Sequence, residues 1–168
     1  MTNETTTAEK KYSIIYVDAP WEAKNWFVER VRDLPVEKRT ASDALLLIWA
    51  PARLVPYVLL VLKKWGFEYA GLLAWQKPID DGYWHRGHCE YMLIGKRGTA
   101  RDYPLFRHTL YEQPSSDGDY KPEAFRALLL QTGRIAFGET APHLDLFGGY
   151  WQRFFPEYAK EEWDFWEE

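Results

Sequence analysis

Residues 43–75, DALLLIWAPARLVPYVLLVLKKWGFEYAGLLAW, decide the fold. Asp43 to Ala50 is a short, almost wholly apolar run, which reads as a strand buried on both faces. Pro51 then opens a helix, because its missing N–H costs nothing in a first turn. Leu54, Val55, Val58, Leu59, Val61, Leu62 and Trp65 recur at spacings of three and four, and Gly66 ends the helix. Phe67 to Trp75 is a further strand, closed by Lys77-Pro78. Strand, helix and strand at this spacing form a βαβ unit with a right-handed crossover. The chain is therefore read as α/β.

Upstream, Tyr12 to Val17 (YSIIYV) is β-branched and aromatic on both faces, as a buried parallel strand should be. Residues 1–11 read as a disordered tail, and Glu22 to Lys38 as a long, partly ordered loop. Downstream, Cys89 to Gly95 is a fourth strand, followed by a polar stretch from Lys96 to Tyr120. Within it, residues 99–120 carry Pro104, Pro114, Gly118 and Ser115-Ser116-Asp117, which argue against regular structure and for a closing lid. Lys121 to Gln131 is a helix with Pro122 in its first turn and Gly133 just beyond its end. His143 to Phe147 is a short strand running into Gly148-Gly149. The stretch from Glu157 to Glu168 reads as a solvated acidic end carrying Trp163 and Trp166. The expectation is one domain over residues 12–168.

The chain has 168 residues, 46% hydrophobic and 27% charged, which suits one globular core and excludes a disordered chain. Its longest apolar run falls far short of the ~18–20 residues that a membrane helix needs. No apolar segment follows Met1 as a secretory signal would, and one cysteine, Cys89, fits a reducing compartment. A cytoplasmic protein is expected. A net charge of −4 excludes a surface coated in base but leaves room for a local basic groove. Nine tryptophans exceed ordinary usage; most should be core, while others are free to stack on flat ligands such as nucleobases.

Asp18-Ala19-Pro20-Trp21 follows a buried strand, at the carboxyl edge where open α/β sheets place ligands. A carboxylate and the Ala19 carbonyl can accept two hydrogen bonds from an amine, and Trp21 offers a face for stacking. This suits an aromatic amine such as that of adenine, although a strand-ending Asp before Pro is often no more than a turn. Between Arg86 and His108, five basic residues (Arg86, Lys96, Arg97, Arg101, Arg107) meet two acids and are interleaved with aromatics. Such a stretch suits a single strand or a flipped base. His85, His88 and Cys89 lack a fourth ligand at zinc spacing, so no metal is expected. No dinucleotide, P-loop or nucleophile-elbow motif occurs.

Several of these segments, in this order, resemble the MT-A-seventy family of adenine-N6 methyltransferases. Asp18-Ala19-Pro20-Trp21 is similar to its Asp-Pro-Pro-Trp motif, and Leu34-Pro35-Val36 to its short helix start. Ala44 to Ala50 is similar to its second strand. Trp65-Gly66-Phe67 with Trp75-Gln76-Lys77-Pro78, and Gly82 to Gly98, resemble two further blocks. Tyr120-Lys121-Pro122-Glu123 and Leu144-Asp145-Leu146-Phe147-Gly148 resemble its last helix start and its cofactor strand.

The resemblance implies a single-domain Rossmann-like methyltransferase fold in which the catalytic motif precedes the cofactor-binding strand. It implies S-adenosylmethionine as cofactor, held by Asp18, Lys121, Asp145, Phe147, Gly148 and Glu167. It implies catalysis by Asp18, Ala19, Pro20 and Trp21. Nucleic acid, DNA rather than RNA, would meet Trp21, Tyr83, Arg86, Arg101, Arg107 and His108. Ala19 stands where the family has Pro, and Gly149 where it often has Arg; the late Asn-bearing segment has no clean counterpart. These departures keep a second reading open, a noncatalytic subunit that binds nucleic acid or a catalytic partner. Action on free nucleotides, a homodimer and a separate specificity subunit also stay open.

Overall fold

The apolar residues of YSIIYV are needed on both faces because β1 (Tyr12–Val17) lies inside the sheet. The computed structural model describes residues 9–21, 28–76, 89–100, 110–112, 121, 123–154 and 163–166. In chain order, β1 is followed by α1 (Val28–Asp33), α2 (Val36–Arg39) and β2 (Thr40–Pro51). A 3-10 turn (Ala52–Leu54) leads into α3 (Val55–Lys64), then β3 (Glu68–Gln76), β4 (Cys89–Arg97) and β5 (Leu110–Glu112). The described chain closes with α4 (Glu123–Phe137), β6 (His143–Asp145), α5 (Gly148–Gln152) and β7 (Asp164–Phe165). The seven strands form one mixed sheet in the order β5-β3-β4-β2-β1-β6-β7. β4 runs antiparallel to β2 and β3, and the other pairings among the described strands are parallel.

Alternation along β1 divides its side chains between two cores. Ile15 and Val17 join Leu46, Ile48, Val31, Val58, Val61 and Leu62, under α1 and α3. Ile14 and Tyr16 join Leu47, Trp49, Phe125 and Leu129, under α4. Helices thus cover both faces, as a largely parallel sheet requires. The β2–α3–β3 segment is the expected strand–helix–strand unit, with its two strands parallel and β4 inserted between them. From β1 the chain passes to β2 on one side, whereas β6 pairs on the other. The carboxyl ends of β1 and β6 therefore lie at a switch point of the strand order, where open α/β sheets place their ligand crevices.

Four expectations need correction. The stretch from Glu22 to Lys38 forms two short helices, α1 and α2, over its described part. Short helices without a strong period are held by packing rather than pattern, and here Val31 and Val36 are fully buried. The polar stretch from 99 to 120 contains β5, which adds a parallel edge strand to β3. The helix begun near Lys121 runs through Gly133 to Phe137 and ends at Gly138, whose φ is +99°. Gly133 sits inside the helix because a Cβ there would collide with Cδ1 of Ile14 on β1. Finally, Trp163 is buried and Asp164–Phe165 forms an edge strand on β6, so this part of the acidic end is built into the fold. Lys10 Nζ pairs with Asp164 at 2.5 Å, and the Arg39 guanidinium lies 4.9 Å from the Trp166 ring.

Candidate active site

Asp18 is the first residue past β1, and the neighbours of β1 carry other functional groups to the same edge. The antiparallel register sets Glu90, near the start of β4, opposite Pro51 at the end of β2 and Trp75 near the end of β3. Lys121, two residues before α4, reaches into the same place. Its Nζ lies 2.7 Å from Glu90 Oε2 and 3.5 Å from Asp18 Oδ1, and all three side chains are largely buried. The same ammonium stands 5.7 Å from the Trp49 ring centroid, within cation–π range. Two carboxylates against one ammonium leave this cluster one negative charge in excess when all are ionised.

Burial is the main cause that raises the Asp18 carboxyl from its ordinary 3.8 to about 6. Lys121 opposes the rise, while Glu90 and Asp145 add to it. Near neutral pH Asp18 is thus ionised and short of solvation, the state in which a carboxylate accepts hydrogen bonds most strongly.

The Asp-Ala-Pro-Trp turn is pinned at three points. Trp21 N–H donates to the Ala19 carbonyl at 2.8 Å, closing a tight turn over Pro20. That leaves the carbonyl one further lone pair. Trp21 Nε1 donates to the Trp49 carbonyl at 2.8 Å, which fixes the indole plane. Trp151 Nε1 donates to the Asp18 carbonyl at 2.6 Å from across the crevice. Below the turn, Trp49 Nε1 donates to the buried Tyr16 hydroxyl at 2.8 Å, and Trp75 and Phe125 meet Trp49 edge-on.

The β6 side of the site carries Asp145, Phe147 and Gly148. Asp145 lies at 0% exposure, paired with Arg126 of α4 at 2.8 Å, so its nearest charge is a core arginine. Phe147 is buried, and its carbonyl accepts the N–H groups of Tyr150 and Trp151 at the start of α5. Gly148 is close-packed within the chain itself, since a Cβ there would collide with the Phe165 ring of β7. At Gly149 the nearest atom to such a Cβ is Phe165 Cβ at 3.9 Å, so this is the more open glycine of the turn.

The structure thus gathers Asp18, Ala19, Trp21 and Lys121 at one edge and sets Asp145, Phe147 and Gly148 beside it. Tyr83, Arg86, Arg101, Arg107, His108 and Glu167 lie outside the described residues, as does most of the expected lid. Glu90, Trp49 and Trp151 belong to the site but carried no functional assignment from sequence. Glu90 stood in sequence as part of the Gly82 to Gly98 block and as one of two acids in a basic stretch, without a role, and the β4 register shows where it falls. Among the described residues no group of three or more His, Cys, Asp or Glu gathers as metal ligands, and no helix is long and apolar enough to cross a membrane.

No family model matches the chain. One curated relative is Type II methyltransferase M.MunI of Mycoplasma sp., 24% identical over 122 aligned residues that take in 53% of this chain. The match spans about half of that protein's length, 52%, so the likeness extends to part of each chain and points towards the methyltransferases.

Proposed function

We propose that this protein is an S-adenosylmethionine-dependent methyltransferase acting on the N6 amine of adenine in DNA. The observation that carries the reading is the buried Asp18 carboxylate, beside the Ala19 carbonyl and a fixed Trp21 indole, where the carboxyl ends of β1 and β6 meet. The resemblance of the ordered motifs to adenine-N6 methyltransferases supports it, as does the likeness to a Type II methyltransferase.

The adenine amine is a poor nucleophile because its lone pair is delocalised into the ring. Asp18 and the Ala19 carbonyl would each accept one of its hydrogens, favouring a pyramidal nitrogen whose lone pair points out of the ring plane. The gain comes from alignment and from charge already in place. S-adenosylmethionine supplies, when bound, the methyl group carried on a sulfonium. The residues fit that group in charge: a cluster with one carboxylate in excess suits a cation, and Lys121 can reach a carboxylate. Asp18, Lys121 and the open side of the turn at Gly149 would hold it. A base taken from a duplex loses its stacking, at a cost of a few kcal/mol, and Trp21 would restore part of it. Tyr83, Arg86, Arg101, Arg107 and His108 are proposed to meet the strand, and Glu167 the cofactor ribose.

The test is mass-spectrometric nucleoside analysis of DNA incubated with the protein and S-adenosylmethionine. N6-methyladenine is expected with the wild type and absent with Asp18→Ala. Near-normal methylation by that variant would remove Asp18 from the chemistry. A wild type that binds DNA without transferring methyl groups would favour a noncatalytic subunit.

A further inference from the structure

We propose that Trp151 is a positioning residue that ties the β6–α5 turn to the peptide between Asp18 and Ala19. The inference rests on the proposed function for its kinetic and ligand-binding consequences, and on geometry alone for the positioning itself.

The sheet's own bonding stops just short of Asp18. The last bond across β1 and β6 at this edge runs from Leu146 N–H to the Tyr16 carbonyl, at 2.9 Å. Asp18 itself is buried, so its carbonyl needs a partner from elsewhere. Trp151 Nε1 supplies it at 2.6 Å, from a residue 133 positions away. The carbonyl belongs to the peptide plane between Asp18 and Ala19. Pinning it constrains ψ of Asp18 and φ of Ala19, two of the torsions that relate the Asp18 carboxylate to the Ala19 carbonyl. The spacing of two proposed amine acceptors thus depends on a side chain that touches neither.

Trp151 is itself held. Its backbone N–H bonds to the Phe147 carbonyl at 3.1 Å, and Tyr150 meets its ring edge-on at 5.1 Å. Gly148 and Gly149 precede it in the same short helix. A molecule resting against the Gly149 side would press on the residue that holds the Asp18 peptide. Ligand binding at the β6 turn would then order the β1 turn through Trp151, beyond any direct contact with Asp18.

The test compares Trp151→Phe, which keeps an aromatic ring and loses the donor, with Tyr150→Phe, which keeps the ring contact. Hydrogen exchange at the Trp21 amide reports the β1 turn, and S-adenosylhomocysteine serves as the ligand probe. In the wild type the Trp151 indole N–H should exchange at least tenfold more slowly than an exposed indole. Trp151→Phe should speed exchange at the Trp21 amide tenfold or more and abolish the extra protection that the probe confers on the wild type. It should lower kcat at least tenfold with both KM values within threefold, whereas Tyr150→Phe stays within twofold throughout. Wild-type exchange in Trp151→Phe, or an unprotected Trp151 indole in the wild type, would overturn the proposal, and the indole measurement holds even if the variant fails to fold. Should the wild type transfer no methyl group, it is the methyltransferase reading that fails. The exchange measurements without ligand then decide the positioning role alone.

Discussion

Asp18→Asn should abolish methyl transfer and, at neutral pH, make the protein more stable. The carboxyl is raised from 3.8 to about 6, chiefly by burial. A group whose folded pKa lies above its unfolded one favours the folded state when protonated, so its ionisation costs stability. The cost is absent below about pH 4, grows between about 4 and 6, and is complete above 6. A shift of this size corresponds to roughly 3 kcal/mol at pH 7. The buried amide recovers only part of that because it must find new hydrogen bonds, and Lys121 keeps Glu90 as a partner at 2.7 Å. A net gain of about 1–2 kcal/mol is expected, or roughly 2–8 °C in Tm for a chain of this size. Thermal unfolding of both proteins from pH 4 to pH 8 is the assay. The difference should be largest above pH 6 and shrink towards zero at pH 4. A loss of stability at pH 7, or a difference that does not vary with pH, would refute the claim that Asp18 is held ionised at a cost in stability. Methylation by the wild type should rise with pH through the same interval, in which Glu90, Asp145 and Lys121 also face the carboxyl.

Arg126→Met leaves Asp145 charged and buried near Tyr16 without its arginine partner, and should cost about 3–5 kcal/mol in urea unfolding. The double variant with Asp145→Asn should recover much of that loss, and a variant as stable as wild type would dissolve the ion-pair account. Gly133→Ala sets a methyl group against Ile14, so overpacking of about 1–3 kcal/mol outweighs the roughly 1 kcal/mol gain in helix propensity. A rise in Tm would contradict the close contact between α4 and β1. Charge reversal at Arg101 and Arg107 should weaken DNA binding and flatten its log–log salt slope by about 2, with S-adenosylmethionine affinity within twofold. An unchanged slope would place the DNA elsewhere.

How far the fold was legible depended on whether each signal was local. The run DALLLIWA and the three-and-four spacing after Pro51 are local, and both gave the element found. YSIIYV likewise showed that both faces are covered, because a strand next to solvent on one side would alternate. What could not be read was the order of the strands. β4 looks like any buried strand, and its insertion in reverse between β2 and β3 depends on long-range pairing. Gly133 misled for a related reason. A glycine near the end of a helical pattern reads as a stop, yet here it makes room for a side chain more than a hundred residues earlier. Trp163 and Phe165 were hidden by the acids around them, since composition averages over a segment while packing selects individual rings.

The site divides along the same line. Asp18 and Trp21 were visible because one short segment carries both a carboxylate and a stacking face where a strand ends. Lys121 was visible only through its place in an ordered set of motifs. Glu90 was not, because its role depends on the direction of β4: run parallel, the same strand would carry Glu90 to the far edge of the sheet, away from Asp18. Run antiparallel, it delivers a second carboxylate to the crevice, and the excess negative charge there follows from topology rather than from any motif. Burial is the chief reason that Asp18 is costly to ionise, with Glu90 adding to the cost and Lys121 opposing it, and a bound cation would offset it. The burial that suits Asp18 to the proposed chemistry is thus also what makes its ionised form costly.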